Sequence, residues 1–167
     1  MTSFDMNSII IGEICNQIEP GKKMLQKLMY LIDRSGLDLD LNYSIHYFGP
    51  YSSKLDSAMH TLESYDKLKI DTSGSTHIIR LGDIAIEGAL NEQDQQKVNF
   101  VMENFSQKSA HELEAITTVD YVATTMLKGK GSDQEIINKV KQIKGSKFSQ
   151  EYLSDCLNTL KNLNYLA

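Results

Sequence analysis

Tryptophan is absent from this 167-residue chain, cysteine and proline occur twice each, and histidine four times. Cys15 and Cys156 stand far apart and match no C-x-x-C spacing, so no cysteine metal site or dithiol redox motif is encoded. Two reduced, partly buried thiols are expected instead. His46, His60, His77 and His111 include no i, i+4 pair, and no cysteine or carboxylate completes a metal-ligand spacing around them. Neither a metal nor a cofactor is expected. Hydrophobic runs such as residues 8–11 are far too short to span a bilayer. No cationic stretch precedes an apolar core at the N-terminus, as a secretory signal requires. The expectation is a cytoplasmic protein without membrane contact.

Catalytic patterns are equally scarce. Ser52-Ser53 lacks the setting of a nucleophile elbow. Gly129-Lys130-Gly131-Ser132 is too short for a phosphate loop with its lysine and hydroxyl at the required spacing. His111 and Glu112 fall in the first turn of a helix, where the glutamate has a capping reason to exist. No residue is assigned a catalytic role, and a non-enzymatic protein is expected.

Charge is unevenly spread over a net −5. Residues 1–127 balance to −8, whereas residues 128–147 carry six lysines against Asp133 and Glu135. Strong binders of a phosphate backbone carry a clustered basic face, and an acidic body with one basic segment points towards a protein partner. Nucleic acid stays open as an alternative through Lys139, Lys141 and Lys144.

What is present is helical periodicity. Residues 5–19 carry Ile9, Ile10, Cys15 and Ile18 ahead of the breaker Pro20-Gly21. Met24, Leu25, Leu28, Leu31 and Ile32 predict a core helix over 22–34, with Lys22, Lys23, Gln26, Lys27 and Asp33 on its other face. Alternation of Leu41, Tyr43, Ile45 and Tyr47 predicts a strand over 39–48, and Gly49-Pro50 then breaks the chain. Ser52 or Ser53 caps a helix over 53–68, with Asp56 three residues beyond Ser53 in capping-box fashion. Residues 70–71 and 77–81 form a hairpin tipped by Ser73-Gly74-Ser75. Helix, strand, helix and hairpin in that order predict a winged helix. Four further helices follow, over 92–105, 109–128, 132–143 and 149–163, with capping boxes at Ser109/Glu112 and Ser132/Glu135. The expected fold is mainly α with some β. A winged-helix-like half over residues 1–90 holds a small antiparallel sheet, and residues 91–167 form a helical half that shares its core.

The segments Lys23-Met24-Leu25-Gln26-Lys27-Leu28-Met29-Tyr30-Leu31 and His46-Tyr47-Phe48-Gly49-Pro50-Tyr51-Ser52-Ser53-Lys54-Leu55, with Leu68-Lys69-Ile70 closing the helix, resemble the YwgA-like family of bacterial proteins. More distantly they are similar to the Panacea antitoxin domain, which has a comparable helix followed by Gly-Pro. Leu113 to Tyr121 resembles the family's later helix. The resemblance implies action by binding, since Panacea-type domains neutralise toxins as protein antitoxins and some relatives are adaptors for proteolysis. It carries no catalytic residue onto this chain.

A protein-interaction module, antitoxin-like or regulatory and of bacterial or phage origin, is therefore expected, with a toxin or a defence or regulatory protein as partner. The alternative is a winged-helix nucleic-acid-binding regulator. Of Tyr43, Tyr47, Phe48 and Tyr51, half must pack inward if the strand alternates. Phe48 and Tyr51 flank Gly49-Pro50 and are the expected outward anchors, joined by Lys54 and His60 on the helix that follows.

Overall fold

Seven α-helices and two short β-hairpins build the chain, which the computed structural model describes over residues 1–167. The protein is mainly α with a little antiparallel sheet, as expected. Two units are formed, one from residues 1–44 and 51–108, the other from residues 45–50 and 109–167. The division is not at residue 90: the helix over 92–105 joins the first unit, and six residues around Gly49-Pro50 join the second.

In the first unit, α1 (Ser3–Gln17) starts from a capping box in which Thr2 and Asp5 bond each other's backbone N–H. α2 (Lys22–Arg34) buries Leu25, Leu28, Met29, Leu31 and Ile32 as its periodicity demands. Gln26 and Lys27, expected on its wet face, are buried as well. The reason is a backbone that needs partners. The Gln26 amide donates to the Ser52 carbonyl and accepts the Ser52 N–H, both at 2.9 Å, in place of a sheet ladder.

α3 (Ser53–Ser64) is capped by Ser52, whose hydroxyl accepts the Leu55 N–H at 3.0 Å, so the Ser53–Asp56 box does not form. The helix stops four residues before the expected end. Asp66 turns into the left-handed region (φ 57°), and the Lys67 and Asp66 N–H groups bond back to Leu62 and Glu63. α4 (Glu92–Phe105) packs on α2 and buries Val98, Val101, Met102 and Phe105.

Two hairpins are present, β1 (Ser44–His46) with β2 (Gly49–Tyr51), and β3 (Leu68–Asp71) with β4 (Ile78–Leu81). β3 and β4 pair antiparallel with Leu68 opposite Leu81, near where they were expected. A further pairing escaped the sequence. Gly21 bridges Ile78, with the Lys22 N–H bonding the His77 carbonyl and the Ile79 N–H bonding that of Pro20. A β-carbon at Gly21 would lie 2.7 Å from Thr76 Cγ2, so any larger residue there would have to displace the exposed Thr76 side chain. The link between α1 and α2 thus adds a single β-bridge to the β3–β4 hairpin, and α1, bridge, α2, α3, hairpin follow one another in the order expected of a winged helix.

The strand expected over 39–48 is overturned. Asp40 and Asn42 have φ of 53° and 50°, which interrupts any ladder, and only Ser44–His46 is extended and paired. Of the alternating residues Leu41, Tyr43, Ile45 and Tyr47, only Leu41 is fully buried and Tyr47 stands 80% exposed; a burial alternation does run just upstream, with Leu37, Leu39 and Leu41 buried and Asp38, Asp40 and Asn42 exposed. Alternating left-handed residues produce the same period of two. Gly49-Pro50, read as a break, lies in β2 beyond a turn at Tyr47-Phe48, an outer position where proline is tolerated.

In the second unit, α5 (Ala110–Tyr121) and α6 (Asp133–Lys144) open with the expected capping boxes, and α7 (Gln150–Asn162) is capped by Ser149. α5 runs into one π-helical turn, Val122–Met126. α5 packs against both α6 and α7, and Leu113, Ile116, Val119, Val140, Leu153 and Leu157 on these helices are buried. Cys15 and Cys156 are buried and not in a disulfide. No helix is long and apolar enough to cross a membrane.

Candidate interaction site

Lys144, in the last turn of α6, has a side chain only 5% exposed, and a lysine is found there only with partners. Its Nζ lies 3.3 Å from Glu114 Oε2, and it also donates to the His46 and Tyr47 carbonyl oxygens. Glu114 sits in the middle of α5, equally enclosed, and takes a second cation, Lys147, at 2.8 Å. Burial pulls the Lys144 pKa below its usual value, with Glu114 opposing the shift. One carboxylate therefore holds two ammonium groups, and one of these ties down successive carbonyls of the 45–50 turn. Gly49 completes the fit. Its φ is 103°, and a β-carbon there would lie 3.1 Å from Thr118 Oγ1 and 3.6 Å from Glu114 Cγ.

The consequence appears at the surface. Tyr47 is 80% exposed and Phe48 40% exposed, their rings packed edge to face with centroids 4.8 Å apart. Lys147 Nζ stands 5.7, 5.5 and 5.8 Å from the ring centroids of Tyr47, Phe48 and Phe148. Phe148 stacks on Tyr152 at 5.8 Å and meets the His111 ring at 4.9 Å. The arrangement is an aromatic tip on a turn whose carbonyls Lys144 bonds, with one lysine among its rings.

The other expected anchors sit in the first unit. Tyr51 lies beside Asp56, and burial together with that carboxylate raises its hydroxyl pKa. Asp56 Oδ1 is 2.7 Å from Lys22 Nζ, and its Oδ2 is 3.6 Å from His60 Nε2. His60 Nδ1 is also 3.6 Å from Glu63 Oε1. Lys54 pairs with Asp40 at 3.2 Å instead. Six residues separate it from His60, about 120° around a helix. Tyr51 and His60 are thus gathered round Asp56, Lys54 faces elsewhere, and Phe48 belongs to the second unit.

Among the basic residues, Lys144 is turned inward, Lys141 meets Gln150 Oε1 at 3.3 Å, and Lys139 is half-buried on α6. Sequence reasoning passed over Tyr47, Glu114 and Lys147. A glutamate inside the apolar run 113–116, and two lysines three apart just before Phe148, were the available signals. Neither a scan of protein-family models nor a search among curated proteins returns a match for this chain.

Proposed function

We propose that this chain is a non-enzymatic protein-interaction module, antitoxin-like or regulatory, of bacterial or phage origin, which works in the cytoplasm without a cofactor. The observation that carries the reading is the aromatic tip, in which Tyr47 and Phe48 stand out on a turn whose carbonyls Lys144 holds. Apolar surface left in water forgoes about 25 cal/mol per Å². Aromatic side chains with few rotatable bonds are the ones that dominate interface energetics. The resemblance of the Lys22–Ile70 block to the YwgA-like family, and more distantly to the Panacea domain, supports the same direction, because Panacea-type domains act by binding. The test is co-purification from native cells, with a Tyr47→Ala/Phe48→Ala variant alongside. A protein held in stoichiometric amount by the wild type, and lost from a variant of unchanged melting temperature, is the expected result. No stoichiometric partner for either form overturns the reading.

A nucleic-acid-binding regulator is the second reading, favoured by the winged-helix order of the first unit. In that arrangement α3 would read the groove, and its surface sets His60 beside Asp56 and Glu63, while Lys54 is paired with Asp40. A mixed face of this kind suits base edges poorly.

A further inference from the structure

We infer that the Tyr47–Phe48 tip takes a partner segment that is acidic and carries an apolar side chain, the rings supplying the apolar contact and Lys147 the cation. The inference rests on the protein-binding reading above and names the chemistry of the partner.

Charge balance within the tip is the first argument. Glu114 faces two ammonium groups, Lys144 at 3.3 Å and Lys147 at 2.8 Å, so the three side chains together keep one positive charge. The two lysines are not equivalent. Lys144 is enclosed and aimed at Glu114 and at the His46 and Tyr47 carbonyls. Lys147 is the outer one, its side chain 32% exposed and its Nζ set among three rings. An arriving carboxylate can draw on Lys147 without stranding Glu114 in the interior, because Lys144 goes on neutralising it.

The rings make the second argument. Aromatic faces attract cations, and on bare rings a basic segment would compete well. Here Lys147 already stands 5.5 Å from the Phe48 centroid and 5.7 Å from that of Tyr47, so a second cation meets repulsion and a carboxylate meets attraction. Glu112 on α5 keeps its negative charge near Tyr152 but is turned to the helix cap, where it accepts the Ser109 N–H at 3.1 Å, and the acid that Lys147 pairs with is Glu114. A phosphate chain shares the anionic chemistry. It gains its affinity from many cations along its length, whereas the tip offers one.

The experiment pans a random linear peptide library, displayed on phage, against the full chain and against its Tyr47→Ala/Phe48→Ala variant. Peptides enriched on the wild type alone are then titrated in solution, beside a single-stranded thymidine oligonucleotide. Enriched peptides are expected to carry Asp or Glu flanking Leu, Phe or Trp. Their Kd should rise with salt and rise about two- to fivefold in Lys147→Gln, while Lys147→Arg keeps the wild-type value. The salt titration needs no variant and stands even if Lys147→Gln melts early. Basic or uncharged wild-type-specific peptides, or a Kd indifferent to both salt and Lys147→Gln, overturn the acidic-segment inference and leave the protein-binding reading intact. Equal enrichment on both proteins removes the tip as a docking site altogether. Oligonucleotide binding tighter than that of any peptide, and lost in Lys147→Gln, overturns the inference in favour of nucleic acid.

Discussion

Two single residues show how local chemistry sets the behaviour of this chain. Asp33, near the end of α2, accepts the Leu39 N–H at 3.0 Å, yet burial outweighs that bond and raises its carboxyl pKa above the ordinary 3.8. Between 3.8 and that raised value the folded state holds a proton that the unfolded state releases. Asp33 therefore stabilises the fold in acid, and this contribution is lost as pH rises through the window. Asp33→Asn keeps an acceptor for Leu39 and carries no charge. It should match or exceed wild-type stability at neutral pH, its advantage shrinking as pH falls towards 3.8, which denaturant melts across that range can follow. Gly49 is the second case. With φ at 103° and Thr118 Oγ1 3.1 Å from where a β-carbon would stand, Gly49→Ala meets strain and crowding together. A loss of about 1–3 kcal/mol is expected from thermal unfolding, with weakened exposure of the aromatic tip as its structural sign.

Among the elements, the helix caps divide into two kinds. Ser109 caps α5 at the surface through an exposed box with Glu112, and its loss should cost about 1 kcal/mol. Ser52 is fully buried, and its hydroxyl both accepts the Leu55 N–H and donates to the Leu41 carbonyl. Ser52→Ala therefore removes the α3 cap and strands a carbonyl of the 37–43 segment, for a loss of about 2–3 kcal/mol. Denaturant unfolding of the two alanine variants should rank them in that order. Equal losses would mean that the Ser52–Leu41 bond contributes nothing. Gln26 belongs to the same assembly, since its amide pairs with the Ser52 backbone from α2. One polar side chain there does what a neighbouring strand would otherwise do.

For the whole molecule, charge separates the two units. The first carries fifteen acidic and ten basic side chains, the second seven of each. In the second unit Glu114 is set against Lys144 and Lys147, and Asp133 against Lys161 at 2.7 Å. Few lysines are left to release counterions from a phosphate backbone. Duplex DNA should therefore bind more weakly than about micromolar at physiological salt, and the salt dependence should be shallow. Titrations over a salt series, with Lys139→Gln/Lys141→Gln as the comparison, test this. Micromolar binding with a steep slope that falls in the variant would favour the nucleic-acid reading.

Local physics made the helices legible from the chain alone. Ser109/Glu112 and Ser132/Glu135 announce starts, and three- and four-residue apolar spacing marks the buried stripe; both depend on neighbours within one or two turns. The wing was readable for the same reason, from β-rich runs either side of Ser73-Gly74-Ser75. The sequence also carried the burial alternation of residues 37–42, but the backbone that produces it was settled by left-handed turns at Asp40 and Asn42. What only the tertiary structure decided are the polar interiors. Gln26 meets Ser52 across 26 residues, and Lys147 meets Glu114 across 33. Whether a glutamine or lysine faces water or a buried partner depends on which distant backbone lacks a hydrogen bond, and no local pattern of residues records that.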